Sequence, residues 1–146
     1  MRVPIPLLPR VVRWAGVAVI AGFIFYASIL TAPPATPVDD AQPWFLDLSY
    51  WRHLVAYATL ALTLAYATDE WSLERWRHAL VVIAVVTLYG AGIEVGQWFV
   101  PERHFDLADI AVNALGASVV LGWFALRPRL EVLEVEAFVD RLGSRG

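Results

Sequence analysis

Four apolar runs, each close to twenty residues long, constrain this chain more than any other feature. They extend from Trp14 to Ala32, from Leu48 to Ala67, from Ala79 to Val100 and from Ile110 to Leu126. About 20 apolar residues cross a hydrocarbon core of about 30 Å at about 1.5 Å of rise per residue. Each run is therefore long enough to span a bilayer as a helix. The connections between them are short and polar, rich in Pro, Asp, Glu and Arg.

Composition supports that reading. Of the 146 residues, 59% are hydrophobic and 17% charged, whereas soluble domains carry about 45–50% and about 25%. Mean hydropathy is +0.58. These values exclude a soluble enzyme and a disordered tail. A net charge of −3 leaves no basic field, so nucleic acid is not an expected partner. The absence of Cys removes disulfides and thiolate metal sites. The expected fold is an all-α polytopic membrane helix bundle with four transmembrane helices. Residues 1–128 form the membrane domain and residues 129–146 a cytoplasmic tail. The run from Glu131 to Glu136 fits neither helical nor strand periodicity well and is read as a short surface helix. The first apolar run exceeds the usual core of a signal peptide and is read as retained.

Arginine sets the orientation, because cytoplasmic segments carry the excess of basic residues. Arg2, Arg10, Arg13, Arg75, Arg77, Arg127, Arg129, Arg141 and Arg145 fall on one side, and only Arg52 and Arg103 on the other. Both termini should then be cytoplasmic, in a multi-pass protein of the cytoplasmic membrane. His78, beside Arg77, reads as a solvated loop residue.

Polar groups inside a span are costly and mark function. At 100° per residue, His53 and Tyr57 share one face of the second run. Gly90, Glu94 and Gln97 share a face of the third, and Asp106, Asp109, Asn113 and Gly116 a face of the fourth. Depth sorts them too: Tyr57 lies about 6 Å below His53, Glu94 about 9 Å below Val100, and Asn113 about 6 Å below Asp109. All three stripes occupy the outer half of the bilayer. The expectation is an outward polar pocket lined by His53, Tyr57, Glu94, Gln97, Arg103, Asp109 and Asn113, with membrane lipids as partners. Asp106 reads as a helix N-cap. Gly92 and Gly96 form a G-x-x-x-G pair on the face opposite Glu94. That places the third helix centrally, or offers a homodimer contact through the two glycines.

The ordered set His53, Tyr57, Glu94-x-x-Gln97, Pro101-x-Arg103 and Asp109-x-x-x-Asn113-x-x-Gly116 resembles the VanZ-like family of small membrane proteins. The resemblance covers residues 48–122. It implies a multi-span envelope protein, from a family whose founding member is associated with teicoplanin resistance. The family's Asp-Lys pair before the His is replaced here by Ser49 and Tyr50.

Beside a purely structural four-helix protein or a proton-coupled transporter, two functional classes remain open from sequence. One is a binding protein for an envelope lipid or glycoconjugate head group, with Arg103 taking an anionic group. The other is a membrane-embedded enzyme acting on an envelope lipid or polyprenyl carrier. Its candidate catalytic residues are Glu94, His53 and Asp109, the first two as general base. Glu94, Asp109 and His53 are also ordinary ligands for a divalent cation, although no metal-binding spacing is present and no cofactor is indicated.

Overall fold

The computed structural model describes residues 2–31, 48–101 and 105–143. It begins with strand β1 (Val3–Leu7) and helix α1 (Arg10–Phe25), which runs on into a π-helical turn at Tyr26–Leu30. Helices α2 (Leu48–Ala67), α3 (Arg75–Gln97) and α4 (Leu107–Ser118) follow. The chain ends with α5 (Val120–Leu126), a 3₁₀ turn at Arg127–Arg129, strand β2 (Leu130–Glu134) and α6 (Val135–Gly143). The protein is thus mainly helical. Arg10–Leu30, Arg75–Gln97 and Leu107–Arg129 are long and apolar enough to cross a membrane.

Helix α2, although 20 residues long, is not among those three stretches. It carries Arg52 and His53, and it packs against α1, α3, α4 and α5. Tyr57, Leu60, Ala61, Leu64 and Ala65 along it are all buried. The central helix is therefore α2 rather than the expected α3. A helix surrounded by protein needs less apolar surface than one facing lipid, which explains its composition.

Glycine permits the closest contacts. A Cβ on Gly116 of α4 would lie 2.5 Å from the Leu54 carbonyl oxygen of α2. A Cβ on Gly96 of α3 would lie 3.0 Å from Ile29 Cδ1, so this glycine seats the end of the first helical stretch. Gly92 faces open space instead.

The fourth run is not one uninterrupted α-helix. Val119 separates α4 from α5, with tighter backbone bonds from Val119 N to the Gly116 carbonyl at 3.1 Å and from Gly122 N to the Val119 carbonyl at 3.0 Å. Ser118 Oγ, donating to the Ala114 carbonyl at 2.8 Å, competes for helix acceptors at the same place.

The all-α expectation is corrected at the termini. β1 and β2 pair in parallel, Val3 opposite Leu130 through Leu7 opposite Glu134. The stretch expected to be a surface helix from Glu131 is thus a strand, and α6 starts only at Val135. Two prolines, Pro4 and Pro6, conceal β1 in the sequence. Successive residues of a strand turn their backbone groups to opposite edges, so the prolines fall on one edge and Val3, Ile5 and Leu7 keep their N–H groups for β2. The proline edge is closed by Tyr66 of α2. Its hydroxyl donates to the Pro6 carbonyl at 2.7 Å and accepts from Leu8 N at 2.9 Å. Tyr66→Phe removes both bonds and should cost about 1–3 kcal/mol. Faster amide exchange at Leu8, with the helices still protected, is the expected readout.

The same end of the bundle holds a network of buried charge. Arg13, 3% exposed, donates to the Ala67 carbonyl at 3.0 Å and to Glu70 Oε2 at 2.6 Å. It thereby caps the C-terminus of α2, where unpaired carbonyls favour a cation. Arg127 forks onto both oxygens of Asp69 at 2.7 and 2.8 Å. His78 is not the solvated loop residue expected. It is 4% exposed, its Nε2 lies 2.7 Å from Thr68 Oγ1, and its ring packs between Trp71 and Phe124. Since Thr68 Oγ1 donates to the Leu64 carbonyl at 2.7 Å, His78 is the donor in that pair.

Candidate functional site

The opposite end of the bundle collects the polar stripes. There the first turns of α2 and α4 meet the last turns of α3. Asp106 caps α4, its carboxylate accepting from Ala108 N at 2.7 Å. This cap fixes the start of the helix and sets Asp109 and Asn113 one turn apart on the face toward α2 and α3.

His53, Tyr57, Glu94, Asp109 and Asn113 come together. His53 Nδ1 is 2.9 Å from Asn113 Oδ1. An amide oxygen only accepts, so Nδ1 carries the proton and Nε2 of the neutral ring has a free lone pair. Nε2 lies 3.9 Å from Asp109 Oδ2, beyond a hydrogen bond but close enough to share a ligand. The His53 ring stacks on Tyr57, with centroids 6.1 Å apart and planes 17° apart. One ligand atom each from His53, Glu94 and Asp109 lie within 4.8 Å of one another.

Burial grades the cluster. Glu94 and Asn113 are fully buried and Tyr57 is 1% exposed. The His53 and Asp109 side chains are 15% and 16% exposed and form its edge. Glu94 Oε2 faces the Asp106 amide at 3.4 Å. Glu94 Oε1, Tyr57 OH and Asn113 Nδ2 have no hydrogen-bond partner among the described residues. Buried polar atoms are almost always paired, and each orphan costs about 1–3 kcal/mol. Three of them at one place make this the part of the described bundle best suited to receive a further polar group.

Gly90 makes room for this arrangement. A Cβ there would lie 2.8 Å from Tyr57 Cε1 and 2.9 Å from Asn113 Nδ2. Its place on the Glu94 stripe was visible in the sequence, but not its contacts. Gln97 bonds a different element. Its Nε2 donates to the Ser28 carbonyl at 3.2 Å, tying α3 to the π-helical turn. Ser28 lies in the last turn of that stretch, where carbonyls lack partners within the helix. Arg103 lies outside the described residues. An apolar cavity of about 240 Å³ lies elsewhere, among Trp14, Val17, Leu60, Val82, Val86 and Tyr89, and none of the polar stripes reaches it. The residues the sequence missed, Arg13, Thr68 and His78, belong to the sheet end. Their partners are distant in the chain or across a turn, and no helical stripe announces them.

No curated protein and no solved structure matches the chain. A family model described as VanZ/LLP1 matches residues 17–127, well over half of the chain and all five clustered residues. The order of polar residues, the apolar helices and this match agree, and the chain belongs to the VanZ/LLP1 family.

Proposed function

We propose that this is a four-span protein of the cytoplasmic membrane that binds the polar head group of an envelope lipid or lipid-linked glycoconjugate. The site is the cluster of His53, Tyr57, Glu94, Asp109 and Asn113, opening outward. The observation that carries this reading is the convergence of three buried atoms without a partner among the described residues, Glu94 Oε1, Tyr57 OH and Asn113 Nδ2, behind the part-exposed His53 and Asp109. Such a set offers hydrogen bonds to hydroxyl, amide or phosphate groups. The arginine asymmetry supports cytoplasmic termini and an outward site. Helix α2 counts as the fourth span because 20 residues reach about 30 Å.

Arg103, from the sequence pattern, takes the anionic part of the head group. Nothing in the cluster is specific to a glycopeptide, so any resistance role enters through the family alone. Native mass spectrometry of the detergent-solubilised protein with phosphatidylglycerol tests the reading. The wild type is expected to retain bound lipid, and Arg103→Ala and Glu94→Gln to lose most of it. Equal retention by all three would contradict it.

A further inference from the structure

Two carboxylates stand in this site, Glu94 within it and Asp109 at its edge. Glu94 is wholly buried and Asp109 largely so, and a phosphate-bearing head group would meet both. Like charges in a site shielded from water repel strongly. His53 presents its Nε2 lone pair toward the same space, because Asn113 holds its Nδ1 proton. From these contacts we infer that His53 Nε2, Glu94 and Asp109 bind one divalent transition-metal cation, of the Zn²⁺ or Mn²⁺ class, which in turn receives the head group's phosphate. The inference rests on the head-group reading and names the chemistry of that same site.

Three features support it. First, the spacing fits. Adjacent ligands of a cation held at about 2.0–2.2 Å lie about 3.0–3.6 Å apart, and opposed ligands about 4.2 Å. The His53–Asp109 separation of 3.9 Å and the limit of 4.8 Å for all three atoms need side-chain adjustments of about 1 Å. Second, the Asn113 contact has the form found around metal-bound histidines, whose other ring nitrogen donates to an oxygen and so fixes ring and tautomer. Third, Glu94 Oε1 is fully buried with no partner among the described residues. Tyr57 OH, equally buried and unpartnered, lies within electrostatic range of both carboxylates. It is suited to hydrogen-bond a cation-bound oxygen. One imidazole and two carboxylates suit Zn²⁺ or Mn²⁺ better than Ca²⁺, which takes six to eight oxygens. Three protein ligands leave coordination positions open for a phosphate oxygen.

The test uses the full chain in detergent, stripped with a chelator, dialysed, and titrated calorimetrically with Zn²⁺ and with Mn²⁺. One metal per chain is expected for the wild type. His53→Gln and Asp109→Asn, both at the part-exposed edge, should each weaken binding by more than about 100-fold. Asn113→Leu should weaken it by about 10–100-fold through loss of the orienting contact. Far-UV circular dichroism confirms that each variant is folded. Absence of stoichiometric metal in the folded wild type, or unchanged affinity in folded His53→Gln and Asp109→Asn, would overturn the inference. A parallel phosphatidylglycerol measurement with and without chelator separates the two readings. Lipid bound equally in both conditions overturns the metal and leaves head-group binding standing. Metal bound at one per chain with no lipid retained supports the metal and removes the proposed function.

Discussion

Gly116→Ala should destabilise the folded bundle by about 3 kcal/mol, the upper end of the usual cost of overpacking. The added methyl group would sit 2.5 Å from the Leu54 carbonyl oxygen and 3.2 Å from Leu54 Cα. Those are backbone atoms of α2, so relief requires one helix to move away from the other. α2 and α4 form the most extensive helix pair in the molecule, and the movement would loosen contacts along its length. Gly116→Leu should prevent the pairing altogether. Gly92→Ala is the matched control, because nothing lies within 4 Å of its added carbon. It should be neutral, or slightly stabilising through helix propensity, worth up to about 1 kcal/mol. Denaturation in mixed detergent, followed by tryptophan fluorescence, distinguishes the two. Equal stability of Gly116→Ala and Gly92→Ala would show that α2 and α4 are not in close contact.

The second large effect is expected at the sheet end. Arg127 forks onto Asp69, whose side chain is 9% exposed, while that of Arg127 is 28% exposed. Removing one member of a largely buried pair leaves the other charge without a partner and costs about 3–5 kcal/mol in fully buried cases. The partial exposure of Arg127 lowers the expectation to about 2–3 kcal/mol for Arg127→Ala. Asp69→Ala should cost a similar amount, and the double variant little more than either single one. Additive losses in this cycle would mean that the two side chains act separately. The pair matters beyond its own energy. Asp69 follows α2 and Arg127 also reaches the Leu130 carbonyl at 3.3 Å, so it joins the central helix to the start of β2.

Helical periodicity made the candidate site legible. His53 and Tyr57, then Gly90 and Glu94, then Asp109 and Asn113 each lie at one-turn spacing, and a polar stripe in an apolar helix must face protein or water. Three stripes at one depth had to meet. Gln97 shows the limit of that logic. Its phase matched Glu94, yet its amide bonds Ser28, because the first helical stretch ends there and leaves that carbonyl without a helical partner. The sheet end was mostly illegible. Arg13 was counted as an orienting loop charge, although it lies beneath the C-terminus of α2. His78 depends on Thr68, Trp71 and Phe124 together. The strand pairing joins residues more than a hundred positions apart, and the prolines of β1 argue locally against a strand. The centrality of α2 was misjudged for a similar reason: Gly92 and Gly96 look alike in sequence, but only Gly96 meets another element.

The central claim is that polar residues of α2, α3 and α4 form one site at one end of the bundle. The chain contains no Cys, so introduced thiols give an unambiguous readout. His53→Cys combined with Asp109→Cys, treated in native membranes with a short bifunctional thiol reagent, should yield an intramolecular cross-link in most of the protein. His53→Cys combined with Val85→Cys, with the second thiol about two and a half turns below Glu94 on α3, should not. Efficient cross-linking of the first pair alone is the predicted result. No cross-link between positions 53 and 109, with both thiols reactive toward a monofunctional reagent, would contradict the account.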